Sequence, residues 1–245
     1  MTNNMTDNIH DSWQDIVSCS LKALPQEYRN FLDSGDNYIP EKSDFLNAFK
    51  TLPKDKLRYI LFGQDPYPRA KSASGYAFID GAVKHIFSAS GFDKNVNKAT
   101  SLRNFIKMVL VSDGKLSCKD SSQKAIASID KSDMIDSIDE LRCNFEHSGV
   151  LLLNSSLIFT SKKESKKHIK IWRAFVERFL EQVQPLSPKL IFFGNYAKEI
   201  KKLPSASGFE SIELEHPYNH TFVCNKKAQE LFGAMKLLHL PKSKV

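Results

Sequence analysis

The chain has few cysteines and no long apolar run. Its four cysteines, Cys19, Cys118, Cys143 and Cys224, are scattered and form no CxxC pair. That spacing indicates neither a zinc ribbon nor a disulfide framework. No apolar stretch approaches the ~18 residues that a membrane-spanning helix needs, and no signal peptide is visible. A soluble, intracellular and cytoplasmic protein is therefore expected. Internal repeats are absent, and no second domain is needed. The 245 residues suffice for one α/β domain with a good core. Residues 1–10 are polar and expected to fray.

What the chain does have is a set of short apolar runs that end in polar residues. Tyr59-Ile60-Leu61-Phe62 runs into Gly63-Gln64-Asp65-Pro66-Tyr67. Val150-Leu151-Leu152-Leu153 ends in Asn154, and Leu190-Ile191-Phe192-Phe193 ends in Gly194-Asn195. Ser211-Ile212-Glu213-Leu214-Glu215 ends in His216-Pro217. Such runs suit buried strands of a parallel sheet. The segments between them are long enough for the crossover helices that parallel strands require. Open α/β sheets bind ligands beyond the C-terminal ends of their strands. Asp65, Asn154 and His216 are then expected at one crevice. A carboxylate, a carboxamide and an imidazole there make an acid–base and hydrogen-bonding site. From the residues alone, this is an enzyme or a ligand site.

Taken in order, the motifs resemble those of uracil-DNA glycosylases of the family-1 type. Gly63-Gln64-Asp65-Pro66-Tyr67 matches that family's water-activating motif, with Gly75 and Phe78 at the family's spacing after it. Ser101-Leu102-Arg103-Asn104 is similar to its phosphate-touching Ser-Leu-Lys-Asn segment. Gly149-Val150-Leu151-Leu152-Leu153-Asn154 is similar to its uracil-reading strand, and His216-Pro217 to the start of its minor-groove loop. The resemblance spans about Trp13 to Phe232. It implies a three-layer α/β/α fold around a central four-stranded parallel sheet, a single domain over residues 11–245. It implies hydrolysis of the N-glycosidic bond of deoxyuridine in DNA, with no cofactor and no metal. Single- or double-stranded DNA containing uracil is the implied partner, acted on by a monomer.

The resemblance also implies roles. Asp65 stabilises the cationic sugar and orients water, and neutral His216 donates to uracil O2. Phe78 stacks on the flipped base, Asn154 bonds its N3–H and O4, Tyr67 excludes a thymine methyl, and Gln64 joins the pocket. Ser101, Pro217, Tyr218, His220 and Phe222 face DNA. His220 or Phe222 stands where the family has its wedge residue. Pro68 replaces a usual histidine, so Arg69 or Lys71 takes its contact. Two other readings are retained: a glycosylase with an altered base range, and a non-catalytic DNA-binding member of the fold.

Charge agrees with a polyanionic partner: net +7, with a pI near 9.1. It is unevenly spread. Residues 1–36 hold two basic side chains against six acidic ones, whereas residues 162–178 hold seven basic against two acidic. Lys166 and Lys167 of that basic run are assigned to DNA. Residues 112–148 read as a solvated insertion with a helix near Ile135 to Phe145.

Overall fold

The computed structural model describes residues 5–194 and 197–241. Asn195, expected at a strand end, lies outside the described residues. The chain groups into two compact units, Met1–Phe78 with Gly149–Glu213, and Ile79–Ser148 with Leu214–Val245. Its strands are β1 (Tyr59–Gly63), β2 (Phe87–Ser88), β3 (Gly91–Phe92), β4 (Val150–Asn154), β5 (Lys189–Phe193) and β6 (Ser211–Leu214). Its helices are α1 (Gln14–Lys22), α2 (Gln26–Ser34), α3 (Lys94–Lys98), α4 (Thr100–Ser112), α5 (Gln123–Ala127), α6 (Ile138–His147), α7 (Ser165–Val183), α8 (Ala197–Lys201) and α9 (Lys226–Gly233).

The first unit is built on the expected sheet, in the order β4-β1-β5-β6. β1 runs parallel to β4 and β5, with Gly63 opposite Asn154 and Phe62 opposite both Leu153 and Phe192. The apolar runs became strands because every side chain of β4 is buried, as are the three central ones of β1. The register brings the turn after β1 and the turn after β4 to the same edge of the sheet. α7 follows β4 and packs on α1. Its buried side chains include His168, Trp172, Phe175, Val176 and Phe179, a helical repeat that leaves its lysines outside. Trp13 is fully buried, donates its indole N–H to the Leu52 carbonyl (2.6 Å), and lies edge-on to Phe49. Each such aromatic contributes on the order of 2–3 kcal/mol through burial. Thr6 and Ile9 are 3 % and 6 % exposed, so the fraying expected of residues 1–10 does not reach them.

The second unit has its own aromatic core. Phe105 of α4 packs on Phe145 of α6 and Phe232 of α9. Segment 112–148 is not simply a solvated insertion, because Leu116, Ile126, Ile135, Leu141 and Phe145 are buried there. Its helix starts at Ile138, where Ser137 and Glu140 close a capping box. The cysteine expectation also needs correcting. Cys118 and Cys224 form a disulfide, with Cα atoms 5.7 Å apart. Their separation of 106 residues hid the pair, because only the fold brings those stretches together. No described helix is long and apolar enough to cross a membrane.

Candidate active site

In the first unit, the turns after β1 and β4 are laced together. The Ser155 N–H donates to the Gly63 carbonyl (3.0 Å), and the Ser156 N–H donates to that of Gln64 (3.1 Å). A Cβ at position 63 would collide with the Asn154 carboxamide, so only glycine lets that side chain lie across β1. Asn154 is 4 % exposed, and no described residue hydrogen-bonds its carboxamide. It thus offers a donor and an acceptor, held in place on a buried strand.

Asp65 sits two residues beyond β1 and is half-buried. Its Oδ2 accepts a hydrogen bond from the hydroxyl of Ser165, the first residue of α7. Burial raises the pKa of Asp65, while the Ser165 bond and then nearby His168 pull it back. The N-terminus of α7 also favours a negative charge. His168 fixes this end of the helix. Its Nδ1 lies 2.5 Å from the Tyr28 hydroxyl and its Nε2 lies 2.9 Å from that of Thr160. Trp172 donates its indole N–H to the same Tyr28 oxygen (3.1 Å). Burial lowers the pKa of His168, which favours the neutral ring that such a network needs. Sequence reasoning gave Ser165 and His168 no role.

Phe78 is half-exposed, with its ring 5.8 Å from that of Phe193. Its φ of 68° is in the left-handed region, unusual for a bulky residue. Such strain marks a side chain held in place by its surroundings, often at a functional site. The preceding Ala77 N–H is tied to the Leu152 carbonyl (3.0 Å). Gly75, at φ 82°, lies where a Cβ would strike the Asp44 carbonyl. The Tyr67 hydroxyl reaches toward the Phe78 carbonyl (3.5 Å), and Gln64 is exposed. Lys166 and Lys167 project into solvent, and Lys167 pairs with Glu164 (3.4 Å). Among the described residues, no group of three or more His, Cys, Asp or Glu side chains is placed to hold a metal ion.

In the second unit, α4 carries Ser101 in its first turn and buried Asn104 one turn later. The Asn104 carboxamide donates to the Pro217 carbonyl (2.8 Å) and lies 3.3 Å from that of Tyr218. It is the post on which the His216–Asn219 loop is hung. The sequence showed Asn104 only as part of a motif, and its burial is what reveals the task. His216 is exposed, and its Nδ1 accepts the Tyr218 N–H (3.0 Å). In the neutral ring, the proton then sits on Nε2. Partial desolvation lowers the pKa of His216 and favours that neutral form. Pro217 is buried, whereas Tyr218 is 68 % exposed and His220 lies open beside it. Phe222 is not at the surface at all. It is fully buried, with its ring stacked 6.3 Å from that of Phe105. The 3₁₀ turn His220–Cys224 points it inward, so the expectation that Phe222 faces DNA is corrected.

A model of the family described as "Uracil DNA glycosylase superfamily" matches residues 49–237. The chain is 53 % identical to the wild-type UNG crystal structure from Nitratifractor salsuginis, over 96 % of this chain and 94 % of that one, with a TM-score of 0.94. It is 24 % identical to a uracil-DNA glycosylase of Streptococcus mutans over 85 % of this chain and 83 % of that protein. A mimivirus uracil-DNA glycosylase, 17 % identical over 88 % of this chain and 72 % of that one, shares the fold with a TM-score of 0.57. The expected fold class, a single α/β domain with a four-stranded parallel sheet, is that of the Nitratifractor structure. A match over residues 49–237 spans well over half of the sequence, and this chain belongs to the uracil DNA glycosylase superfamily.

Proposed function

We propose that this chain is a uracil-DNA glycosylase acting in base excision repair. It breaks the bond between deoxyribose C1′ and uracil N1 and leaves an abasic site. The observation that carries this reading is a buried Asn154 carboxamide that no described residue hydrogen-bonds, at the strand end next to that of the half-buried Asp65 carboxylate. Bond cleavage leaves positive charge on the sugar and negative charge on uracil. Ionised Asp65 stabilises the first and orients the attacking water. Water oxygen bonds to C1′, and one of its protons is lost toward the carboxylate. His216, carrying its proton on Nε2, donates to uracil O2 and stabilises the second charge. Asn154 accepts from N3–H and donates to O4. Cytosine reverses both polarities and would leave these groups unpaired, which is how sites reject a base by about 10⁴-fold. Phe78 stacks on the base, Tyr67 blocks the thymine methyl, and Gln64 borders the pocket. Ser101, Tyr218 and His220 face the DNA backbone and groove, as do Lys166 and Lys167 from α7.

The test is alkali cleavage of single-stranded and duplex DNA that carries uracil. The wild type should yield abasic product, and Asp65→Asn should lower the rate by about 10²-fold or more. A loss under about threefold would remove Asp65 from the chemistry. A panel of thymine, cytosine and damaged bases distinguishes uracil from a wider base range. Total absence of product would favour a binding member of the fold.

A further inference from the structure

The loop that carries His216 is held by hydrogen bonds and by a covalent bond, and only the second kind answers to redox chemistry. Asn104 of α4 donates to the Pro217 carbonyl (2.8 Å). Glu215, just ahead of the loop, accepts from the Thr221 hydroxyl (2.6 Å) and from the Asn225 carboxamide (3.1 Å), which closes the loop on itself. Cys224 ends the His220–Cys224 turn, and its sulfur is bonded to that of Cys118. All of these residues belong to the second unit. Gln229 of α9 braces the turn from behind: its carboxamide donates to the Val223 carbonyl (3.1 Å), and its own carbonyl accepts from the Ser112 hydroxyl (3.0 Å).

The uracil chemistry uses neither cysteine, yet both are exposed. Exposed disulfides are the labile and regulatory ones, because a thiolate can reach their sulfurs. The surroundings favour such an exchange. Lys119 follows Cys118, and Lys226 opens α9 two residues after Cys224. Cationic side chains and the positive end of a helix both favour a departing thiolate. Cys224 is also close to the residues assigned to DNA, four positions from His220 and six from Tyr218. A cross-link there fixes one end of a short loop. Freedom already removed from the loop need not be removed when DNA binds.

We propose that Cys118 and Cys224 form a thiol–disulfide exchange site that sets how tightly the His216–His220 loop is held, and through it the grip on duplex DNA. The disulfide form presents a preorganised loop. In the dithiol form, Asn104 and Glu215 hold the loop without the covalent link, and duplex is engaged more weakly. A dithiol reductant drives the opening. Its thiolate attacks one sulfur, the Sγ–Sγ bond breaks, and a mixed disulfide forms. The second thiol of the reductant then displaces the protein. Two electrons and two protons pass to Cys118 and Cys224, and the reductant leaves as its disulfide. A small-molecule disulfide reverses the exchange. The effect on rate rests on the glycosylase reading, whereas the effect on binding does not.

The test compares the wild type before and after dithiothreitol, at a temperature well below both melting points. Reduction should lower kcat/KM on duplex uracil DNA by roughly fivefold, the low end of ordinary coupling between sites. Oxidised glutathione should restore it. Cys118→Ser and Cys224→Ser, made separately, should show the reduced value in either buffer. Cys19→Ser with Cys143→Ser removes the two free cysteines and should keep the full response. Fluorescence anisotropy with uracil-free duplex should give a matching change in Kd with no reaction taking place. Amide exchange separates a loosened loop from general loss of stability. On reduction it should quicken over residues 216–225 and stay as it was in β1 and β4, whereas a general loss would quicken all of them. A kcat/KM and a Kd that ignore dithiothreitol would overturn the proposal. So would a response that disappears with Cys19 and Cys143. If neither form releases uracil while Kd still responds, the glycosylase reading fails and the exchange site stands.

Discussion

Asp65 carries a charge that its surroundings only partly support. Burial raises its pKa, and the Ser165 hydroxyl and His168 work against that rise. In the proposed mechanism the ionised form acts, so activity should fall as pH drops through this raised value. Removing the hydroxyl should raise it further. Ser165→Ala is expected to move the acid limb of the kcat/KM profile to higher pH, while Ser165→Thr, which keeps the donor, should leave the limb in place. An unmoved limb in the alanine variant would mean that Ser165 only packs. Stability has the opposite sign. A carboxyl whose folded pKa is raised favours folding most at low pH, and that contribution is lost as pH rises through the folded value. At neutral pH Asp65→Asn should therefore cut activity yet leave Tm level or higher, measurable in one thermal melt. The strand-end positions of Asp65 and Asn154 were legible in the sequence because each closes an apolar run. Ser165 was not, because it is 100 residues from Asp65 in the chain. No local pattern links a helix N-terminus to a carboxylate on another strand.

Among the elements, the strands were the easiest to read. Continuous apolar runs admit few alternatives when Gly or Asn closes them, and β1, β4, β5 and β6 appear where expected. The loop after β6 was harder, because its contacts come from α4 rather than from its own sequence. Spacing alone could not distinguish a ring facing solvent from one facing the core. Phe222 is 0 % exposed and Tyr218 is 68 % exposed, so of these two rings only that of Tyr218 is at the surface. Phe222→Ala should thus cost about 3–5 kcal/mol of stability through the cavity it leaves, read as a drop in denaturant midpoint. Tyr218→Ala should leave the fold unchanged and slow duplex substrate more than single-stranded substrate, because an inserted ring matters only where a partner strand must be parted. Equal slowing on both substrates would remove Tyr218 from that task. His220 is open beside it, and the same pair of rates for His220→Ala decides between the two rings.

At the scale of the molecule, no local pattern foretells how the second unit closes. That unit draws Ile79–Ser148 and Leu214–Val245 from distant parts of the chain. Aromatic contacts between α4, α6 and α9 join them, and so does the bond between Cys118 and Cys224. Neither contribution shows in cysteine spacing or in local periodicity. Both cysteines are exposed, so an oxidant or a reductant can reach them. A cross-link spanning 106 residues restricts the unfolded chain strongly, on the order of 4–5 kcal/mol in the chain-entropy account. Purified without reductant and then denatured, the protein should expose two titratable thiols, those of Cys19 and Cys143. With reductant, all four cysteines should titrate. Cys118→Ser should lower Tm in oxidising buffer and bring it to the value of the reduced wild type. Cys19→Ser should leave the difference between oxidised and reduced Tm intact. If all four thiols titrate without reductant and Tm does not respond to it, the pair is open in solution and the aromatic contacts alone hold the unit closed.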